Sequence, residues 1–547
     1  MRIVIVGGVA GGMSAATRLR RLDEDAQIIV LERSSHVSYA NCGLPYLVGG
    51  VIEEEDTLLL ETPETLHDRF RLDVRVRSEA LKIDREERRV SVRDRSTGLE
   101  YSLSYDKLIL SPGAAAVVPP LPGIERALTL RTVEDVERIV EQVDRLPKSA
   151  VIIGGGFIGV EVAENLVRRG IRTSVVEATP QLLAPLDPEM ASIVAAEMQN
   201  HGVELHLGET VAALTRDTVT LACGEELAAD MVVLAIGVRP ETSLARSAGL
   251  AIGESGGILV DRFNRASDPS IYAIGDAAEK HDALDASSTL VPLANIANRQ
   301  GRVVADHISG RPIRTVASIG TAVVKVFDLV VAVTGWNEKR LTAQGRNFLA
   351  IHTHPNSHAG YYPHAQPMAL KLLVDRRSGA ILGAQGVGTD GVDKRIDILA
   401  TAIRGGLTAP ELADLELAYA PQFGSAKDPV NILGYIAENL LSGLIDTVQW
   451  NEVDDLRARG AQFVDVRTAD EFVRGSLPGA VNIPVDQLRD RYRELDAVDI
   501  VVNCEVGQRG YVATMLLNEF GCRAVNLDGG YKTWHASPSA VTLELIG

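Results

Sequence analysis

The sequence predicts a mixed α/β protein made of several modules, and three observations carry that expectation. An apolar run at Arg2–Val6 enters the glycine turn Gly7-Gly8-Val9-Ala10-Gly11-Gly12. A second run, Ala150–Ile153, enters Gly154-Gly155-Gly156 and then Gly159. A third alternation begins near 447 and contains the strand-like stretches Phe463–Asp465 and Ile500–Asn503. Short apolar runs set between glycine turns and helical stretches are the pattern of buried parallel strands. At 547 residues the chain should hold roughly three to five modules, each able to bury its own core.

Bulk properties exclude several classes. A formal charge of −18 argues against a nucleic-acid or acidic-membrane partner, so any anionic ligand needs a local basic cluster. No apolar run reaches the roughly eighteen residues that suggest a membrane span. The start MRIVIVGG has neither the apolar region nor the cleavage site of a secretory signal, and a cytoplasmic location is expected. Cys42, Cys223, Cys504 and Cys522 are too scattered for a disulfide framework or a zinc site. Each is then either inert filling or a reactive thiol, and the surroundings of Cys223 and Cys522 suggest filling.

The first unit runs from Arg2–Val6 through a helix to about Leu22, then to Ile28–Leu31, which ends at Glu32. Glycines at Gly7 and Gly12 let the backbone approach a pyrophosphate at a helix N-terminus. The carboxylate of Glu32 would accept from ribose hydroxyls. The second unit repeats the design with Gly154, Gly156 and Gly159, and its next strand, Thr173–Val176, ends at Glu177. Two complete units, each with its acid, predict two bound dinucleotides.

Three later stretches extend the pattern. Ser270–Asp276 is a strand ending in Gly275-Asp276, suited to place a carboxylate on a flavin's ribityl chain. Leu108–Gly113 and Leu234–Pro240, the latter with Gly237, look like crossings between two nucleotide domains. Over about residues 1–445 the chain resembles the two-dinucleotide flavoprotein disulfide reductases. The resemblance implies FAD on the first unit, with Ala80, Asp276 and Pro292 among its neighbours, and the nicotinamide cofactor on the second. Glu177 favours NADH over NADPH, since it would repel a 2′-phosphate.

Cys42 lies in Val37–Tyr46, ten residues past Glu32, where a helix or turn should begin beside the flavin. Helix-end N–H groups and an oxidised flavin would favour its thiolate. The position where many such reductases carry a second cysteine is Leu47. A lone thiol still suffices if its disulfide partner is the substrate, held as a mixed disulfide, or if it cycles through a sulfenic acid. The stretch Ser38-x-x-Asn41-Cys42-x-Leu44-Pro45-Tyr46 resembles coenzyme A-disulfide reductases and their persulfide-reducing relatives. Peroxidase-type relatives carry a histidine in the first glycine loop, where this chain has Ala10 and Gly11.

Residues from about 326 resemble the α+β dimerisation domain of the same proteins, and a homodimer is expected. There the resemblance assigns Tyr361 and Tyr419 to the partner subunit's thiol, as phenols able to donate to a leaving thiolate. It also implies contacts to coenzyme A, as substrate or bound thiol, from Ser14, Arg18, Arg21, Ser38, Asn41, Asn298 and Lys427. Arg18 and Arg21 are three apart on one helix, so they share a face, and guanidinium forks suit phosphates. Asn298 stands where some relatives carry histidine. His352, His354, His358 and His364 crowd one stretch without a carboxylate or cysteine partner in sequence, and no metal is assigned.

From about 447 a separate pattern begins. Phe463–Arg467, Gly475–Ala480, Asn482–Pro484, the loop Cys504–Arg509 and Asp528-Gly-Gly530-Tyr-x-x-Trp534 together resemble a single rhodanese-like α/β domain. A strand-to-helix loop of this kind can wrap N–H groups around the Cys504 sulfur and cradle a persulfide, with Arg509 as a nearby cation. Glu505 should disfavour a dianionic donor.

The expected architecture is therefore two Rossmann-like dinucleotide-binding domains, a dimerisation domain and a rhodanese-like domain. Their spans are 1–115 with 245–325 for FAD, 116–244 for NAD, 326–446 for dimerisation and 447–547 for the last. The expected activity is FAD- and NADH-dependent reduction of coenzyme A disulfide, coenzyme A persulfide or polysulfide through Cys42. The alternatives are an NADH oxidase or peroxidase using a cysteine sulfenic acid, and a sulfur carrier or redox sensor without turnover.

Overall fold

The computed structural model describes residues 1–495 and 499–540. The end of the expected C-terminal span, 541–547, lies outside the described residues. The chain divides into two compact units: Met1–Ala178 with Gly202–Ser318, and Thr179–His201 with Ile319–Gly547.

The first unit holds two five-stranded parallel sheets. In one, Arg2–Val6 lies centrally between Lys107–Leu110 and Gln27–Leu31, with Ile271–Ala273 and Asp73–Arg75 outermost. In the other, Ser149–Ile153 lies between Arg172–Glu177 and Met231–Leu234. Ile3, Val4, Ile5, Val151 and Ile152 are completely buried, which explains the unbroken apolar runs: parallel strands are covered on both faces. Helix Ala10–Leu22 lies along helix Ala294–Ile308, and Ser14 Oγ donates to Asn298 Oδ1 at 2.8 Å.

The second unit holds an antiparallel sheet ordered Ala322–Val326, Leu329–Gly335, Ile381–Gly388, Met368–Asp375, Phe348–Thr353. It also holds a parallel sheet ordered Thr447–Val448, Arg523–Leu527, Asp499–Asn503, Gln462–Asp465, Val481–Asn482. Two placements differ from the sequence reading. The antiparallel sheet starts at Ala322, within the range expected for the first domain. Residues Thr179–His201, expected with the second dinucleotide unit, group here instead. Lys371, on the antiparallel sheet, has no exposed surface and draws them in. Its ammonium lies 2.9 Å from Asp187 and 2.5 Å from Glu189, because a buried charge persists only when paired.

Among the described residues no helix is long and apolar enough to cross a membrane.

Candidate active site

Both glycine turns are built by close backbone approach. A Cβ on Gly12 would stand 1.9 Å from the Gly7 carbonyl oxygen, so helix Ala10–Leu22 closes on the turn only as glycine. Gly159 repeats this, 2.0 Å from the Gly154 carbonyl oxygen. Gly156 differs, with nothing within 4 Å of its Cβ position: space opens where helix Phe157–Arg168 begins. The two acids behave alike. Gly8 N–H donates to Glu32 at 2.8 Å, and Gly155 N–H donates to Glu177 at 2.7 Å. Each carboxylate thus stands at its glycine turn, where a ribose would meet it.

The first turn also has the polar groups a flavin nucleotide requires. Asp276 sits in the turn Gly275–Ala277 at the end of strand Ile271–Ala273, paired with Arg131 at 2.9 Å. Gln300 accepts from Gly275 N–H at 2.9 Å, while its buried Nε2 has no hydrogen-bond partner in the protein. Buried polar groups are rarely left so, and this one fits a ligand acceptor. Ala80 lies at an irregularity of strand Ser78–Asp84, Pro292 is exposed just before helix Ala294–Ile308, and Gly237 faces open space. The residues present fit FAD at the first turn and a nicotinamide dinucleotide at the second.

Cys42 is an exposed free thiol in the three-residue turn Asn41–Gly43, which runs into the short helix Leu44–Val48. The segment is tied to the first glycine turn by Ser38, whose N–H donates to the Gly8 carbonyl at 2.8 Å with φ +48°. Asn41 Oδ1 is buried and without a protein partner. The expected thiolate stabilisation is reversed by the protein's own groups. Desolvation pushes the Cys42 thiol up, Glu161 and Asp276 add to this, and Arg131 opposes it. Five residues of helix are too short to offset a nearby carboxylate.

That carboxylate is the main residue missed in the sequence. Glu161 stands on helix Phe157–Arg168 and accepts from Tyr46 Oη at 3.2 Å. Burial, aided by Glu164 and opposed by the tyrosine, raises its pKa to about 7. Tyr46 is itself pushed up to about 12 by burial and by Glu161. Glu161 follows Gly159 by two residues, and that spacing was the available signal. Arg131, the cation that opposes the shift at Cys42, had none.

Of the residues assigned to coenzyme A, Ser14 and Asn298 are hydrogen-bonded to each other. Arg18 is already engaged: its Nη2 lies 2.7 Å from Asp306, a carboxylate with no exposed surface. Arg302 and Arg311 approach the same carboxylate at 3.8 and 3.2 Å. Three guanidinium groups on one aspartate leave a net positive patch, with Arg21 exposed on the same helix as Arg18. Lys427 is exposed in the second unit, directly before Asp428, which caps helix Pro429–Leu441.

In that unit Tyr361 and Tyr419, 58 residues apart, meet with their hydroxyls 2.9 Å apart, both exposed. The nearby histidines His352 and His354 make hydrogen bonds through their rings. Both ring nitrogens of His352 face carboxylates, and His354 Nε2 lies 2.7 Å from Thr533 Oγ1. His358 is buried, its Nδ1 3.2 Å from the Ala359 carbonyl oxygen, and His364 has φ +70°.

Cys504 is fully buried where strand Asp499–Asn503 gives way to helix Gln508–Glu519, and Gly507 N–H donates to its sulfur at 3.2 Å. Charges on either side of the loop are paired. Arg509 is bound to Glu471 at 2.7 Å, and Glu505 to Arg467 at 2.9 Å, with Arg467 also held by Asp465. These five groups sum to one negative charge, and Lys532, whose ammonium interacts with Glu505, is a further cation beside the loop. Of the two cysteines expected as filling, Cys522 packs against this domain's core, but Cys223 is exposed on a hairpin turn.

Two dinucleotide cradles with a lone exposed thiol tied to the first define an oxidoreductase that passes electrons between cofactors and a sulfur centre. Residues 1–301 match the family described as pyridine nucleotide-disulphide oxidoreductase, and residues 321–429 match its dimerisation domain. Residues 449–537 match the rhodanese-like domain. The chain belongs to the pyridine nucleotide-disulphide oxidoreductase family, whose members use FAD and NAD(P)H. It is 35% identical over 445 residues to a coenzyme A disulfide reductase of Staphylococcus aureus, covering 80% of this chain and all of that one. The crystal structure of reduced Bacillus anthracis CoADR-RHD superposes with a TM-score of 0.96 at 50% identity, covering 98% of each chain. A NAD-dependent persulfide reductase from A. fulgidus gives 0.93 at 36% identity, covering 98% of this chain and all of that one.

Proposed function

We propose that this enzyme uses NADH to reduce coenzyme A disulfide, coenzyme A persulfide or polysulfide through Cys42, with Cys504 delivering sulfane sulfur. The observation that carries the reading is the pairing of a lone exposed thiol at the flavin cradle with a buried, N–H-bound thiol in a rhodanese-like loop. The relatives named coenzyme A disulfide reductase and persulfide reductase support it.

The Cys42 thiolate attacks one sulfur of RS–SR′, forming Cys42–S–SR and releasing R′S⁻, which takes up a proton. The Tyr361–Tyr419 pair is suited to give that proton in a homodimer, since each hydroxyl can donate while the other accepts. When bound, FAD and the nicotinamide supply the two electrons that return Cys42–S–SR to a thiolate and RS⁻. Arg18 and Arg21 hold the substrate's phosphates, and Ser14, Ser38, Asn41, Asn298 and Lys427 orient it. At the second thiol a persulfide Cys504–S–SH passes its outer sulfur to an acceptor thiolate, giving R–S–SH and the Cys504 thiolate. Glu177 sets the preference for NADH.

An anaerobic substrate screen with purified holoenzyme tests this reading. NADH should be consumed with coenzyme A disulfide and with polysulfide, and NADPH should be at least about tenfold poorer in kcat/KM. Turnover with peroxide or oxygen that exceeds turnover with every sulfur substrate would replace this reading with the oxidase or peroxidase one.

A further inference from the structure

We infer that His352, on the antiparallel sheet, is a positioning residue for Cys504: it locks the turn that holds the sulfur loop and so fixes the rhodanese-like domain in place. The inference goes beyond the relay proposed above, and its functional arm rests on that relay.

The geometry makes His352 an imidazolium. Its Nδ1 lies 2.7 Å from Asp528 and its Nε2 lies 3.0 Å from Glu189, and both partners are carboxylates. A carboxylate only accepts, so each ring nitrogen must carry a proton. His352 N–H also donates to the same Asp528 oxygen at 2.9 Å. Residues Asp528, Gly529 and Gly530 then form a wedge with two contact faces. A Cβ on Gly529 would stand 2.8 Å from His352 Cβ, and one on Gly530 would stand 2.5 Å from the Cys504 carbonyl oxygen. Directly after the wedge, Tyr531 N–H donates to that carbonyl at 2.7 Å, and Lys532 N–H donates to the Glu505 carbonyl at 2.9 Å. One turn therefore touches the reductase-side histidine with one glycine and the sulfur loop with the next.

The connection between the two sheets reinforces the lock. Thr447–Val448 forms the edge strand of the parallel sheet, so this stretch is not a free tether. Gln449 Nε2 bridges the Ala350 carbonyl at 3.0 Å and Asp528 at 3.3 Å.

Charged groups face the ring from several elements, and Lys339 stands beyond them near Glu189 and Lys371. Asp528 and Glu189 attract its proton, Lys371 opposes it, and beyond Lys371 lie Asp187 and Glu338. His354, one residue past the end of strand Phe348–Thr353, is held neutral by burial, Lys532 and His352. Burial pulls the His352 pKa down, but the hydrogen bonds it donates to Asp528 and Glu189 outweigh it and raise the value to about 9. A histidine pKa raised on folding gives stability that is complete below about 6.5, the unfolded value, and lost as pH rises through the folded one. The lock should therefore weaken near pH 9.

The test uses full-length holoenzyme and two readouts. The first is the ratio of polysulfide turnover to coenzyme A-disulfide turnover; the second is small-angle scattering. For the wild type the ratio should fall at least about fivefold between about pH 7 and pH 10, and the particle should expand over the same range. His352→Gln should show the low ratio and the expanded particle already at neutral pH, with neither changing further. Coenzyme A-disulfide turnover should stay within about twofold. A compact His352→Gln particle with a wild-type ratio would overturn the inference. If that variant does not fold, the wild type decides: a ratio and a scattering profile that are both flat through pH 9 would equally overturn it. Should Cys504→Ser leave polysulfide turnover unchanged, the relay fails. The lock then stands or falls on whether the wild-type particle expands.

Discussion

Cys42 and Cys504 are both free thiols at the start of a helical segment, yet the protein treats them in opposite ways. Cys42 is exposed on a three-residue turn, and desolvation, followed by Glu161, disfavours its charge. Cys504 has no exposed surface, and a backbone N–H of its own loop points at the sulfur. The first arrangement suits a thiol that meets varied sulfur–sulfur bonds and gains its reactivity only in the assembled active site. The second suits a sulfur held away from water and handed on. The difference lies in what surrounds each thiol.

Removing each thiol should break the symmetry most sharply. Cys42→Ser should retain flavin and lose NADH-dependent reduction of coenzyme A disulfide by about a thousandfold or more, since no second cysteine lies beside it. Cys504→Ser should leave that same reaction within about twofold while depressing polysulfide turnover. Steady-state kinetics of the two purified variants, normalised to bound flavin, read both outcomes. Near-normal activity in Cys42→Ser would show that the exposed thiol is not the reductant's target.

A smaller effect should follow from Glu161. Its ionisation near pH 7 places a negative charge beside Cys42 and holds the thiol protonated. Glu161→Gln should raise the rate of Cys42 alkylation by iodoacetamide about three- to tenfold at neutral to mildly basic pH. The step near pH 7 in the wild-type rate profile should disappear with it. Cys504, fully buried in the rhodanese-like domain, should not respond. An unchanged alkylation profile would separate Glu161 from the thiol.

The parts legible in the sequence are those fixed by backbone geometry. Gly12 and Gly159 are required by carbonyls five residues earlier, Gly7 and Gly154 by the neighbouring strand ends at Ser111 and Ala235, and Glu32 and Glu177 follow from the strand ends. Tyr361 and Tyr419 were reached through resemblance, and the structure brings their hydroxyls together. What escaped was set by long-range burial. His352 meets Asp528 across 176 residues and Glu189 across 163, and neither pairing leaves a mark in local sequence. The protein's own bias against a thiolate at Cys42 was hidden for the same reason. Its short helix was visible locally, but the acid on helix Phe157–Arg168 that outweighs it was not.

The central claim is that sulfur loaded on Cys504 leaves as sulfide through Cys42. A chase measures this directly: holoenzyme is loaded with sulfane sulfur from polysulfide, freed of excess donor, supplied with a trace of coenzyme A and given NADH without oxygen. The account predicts one sulfide released per NADH consumed, with release abolished in Cys42→Ser although Cys504 remains loaded. Sulfide release that proceeds equally well in Cys42→Ser, or NADH consumption without sulfide, would contradict it.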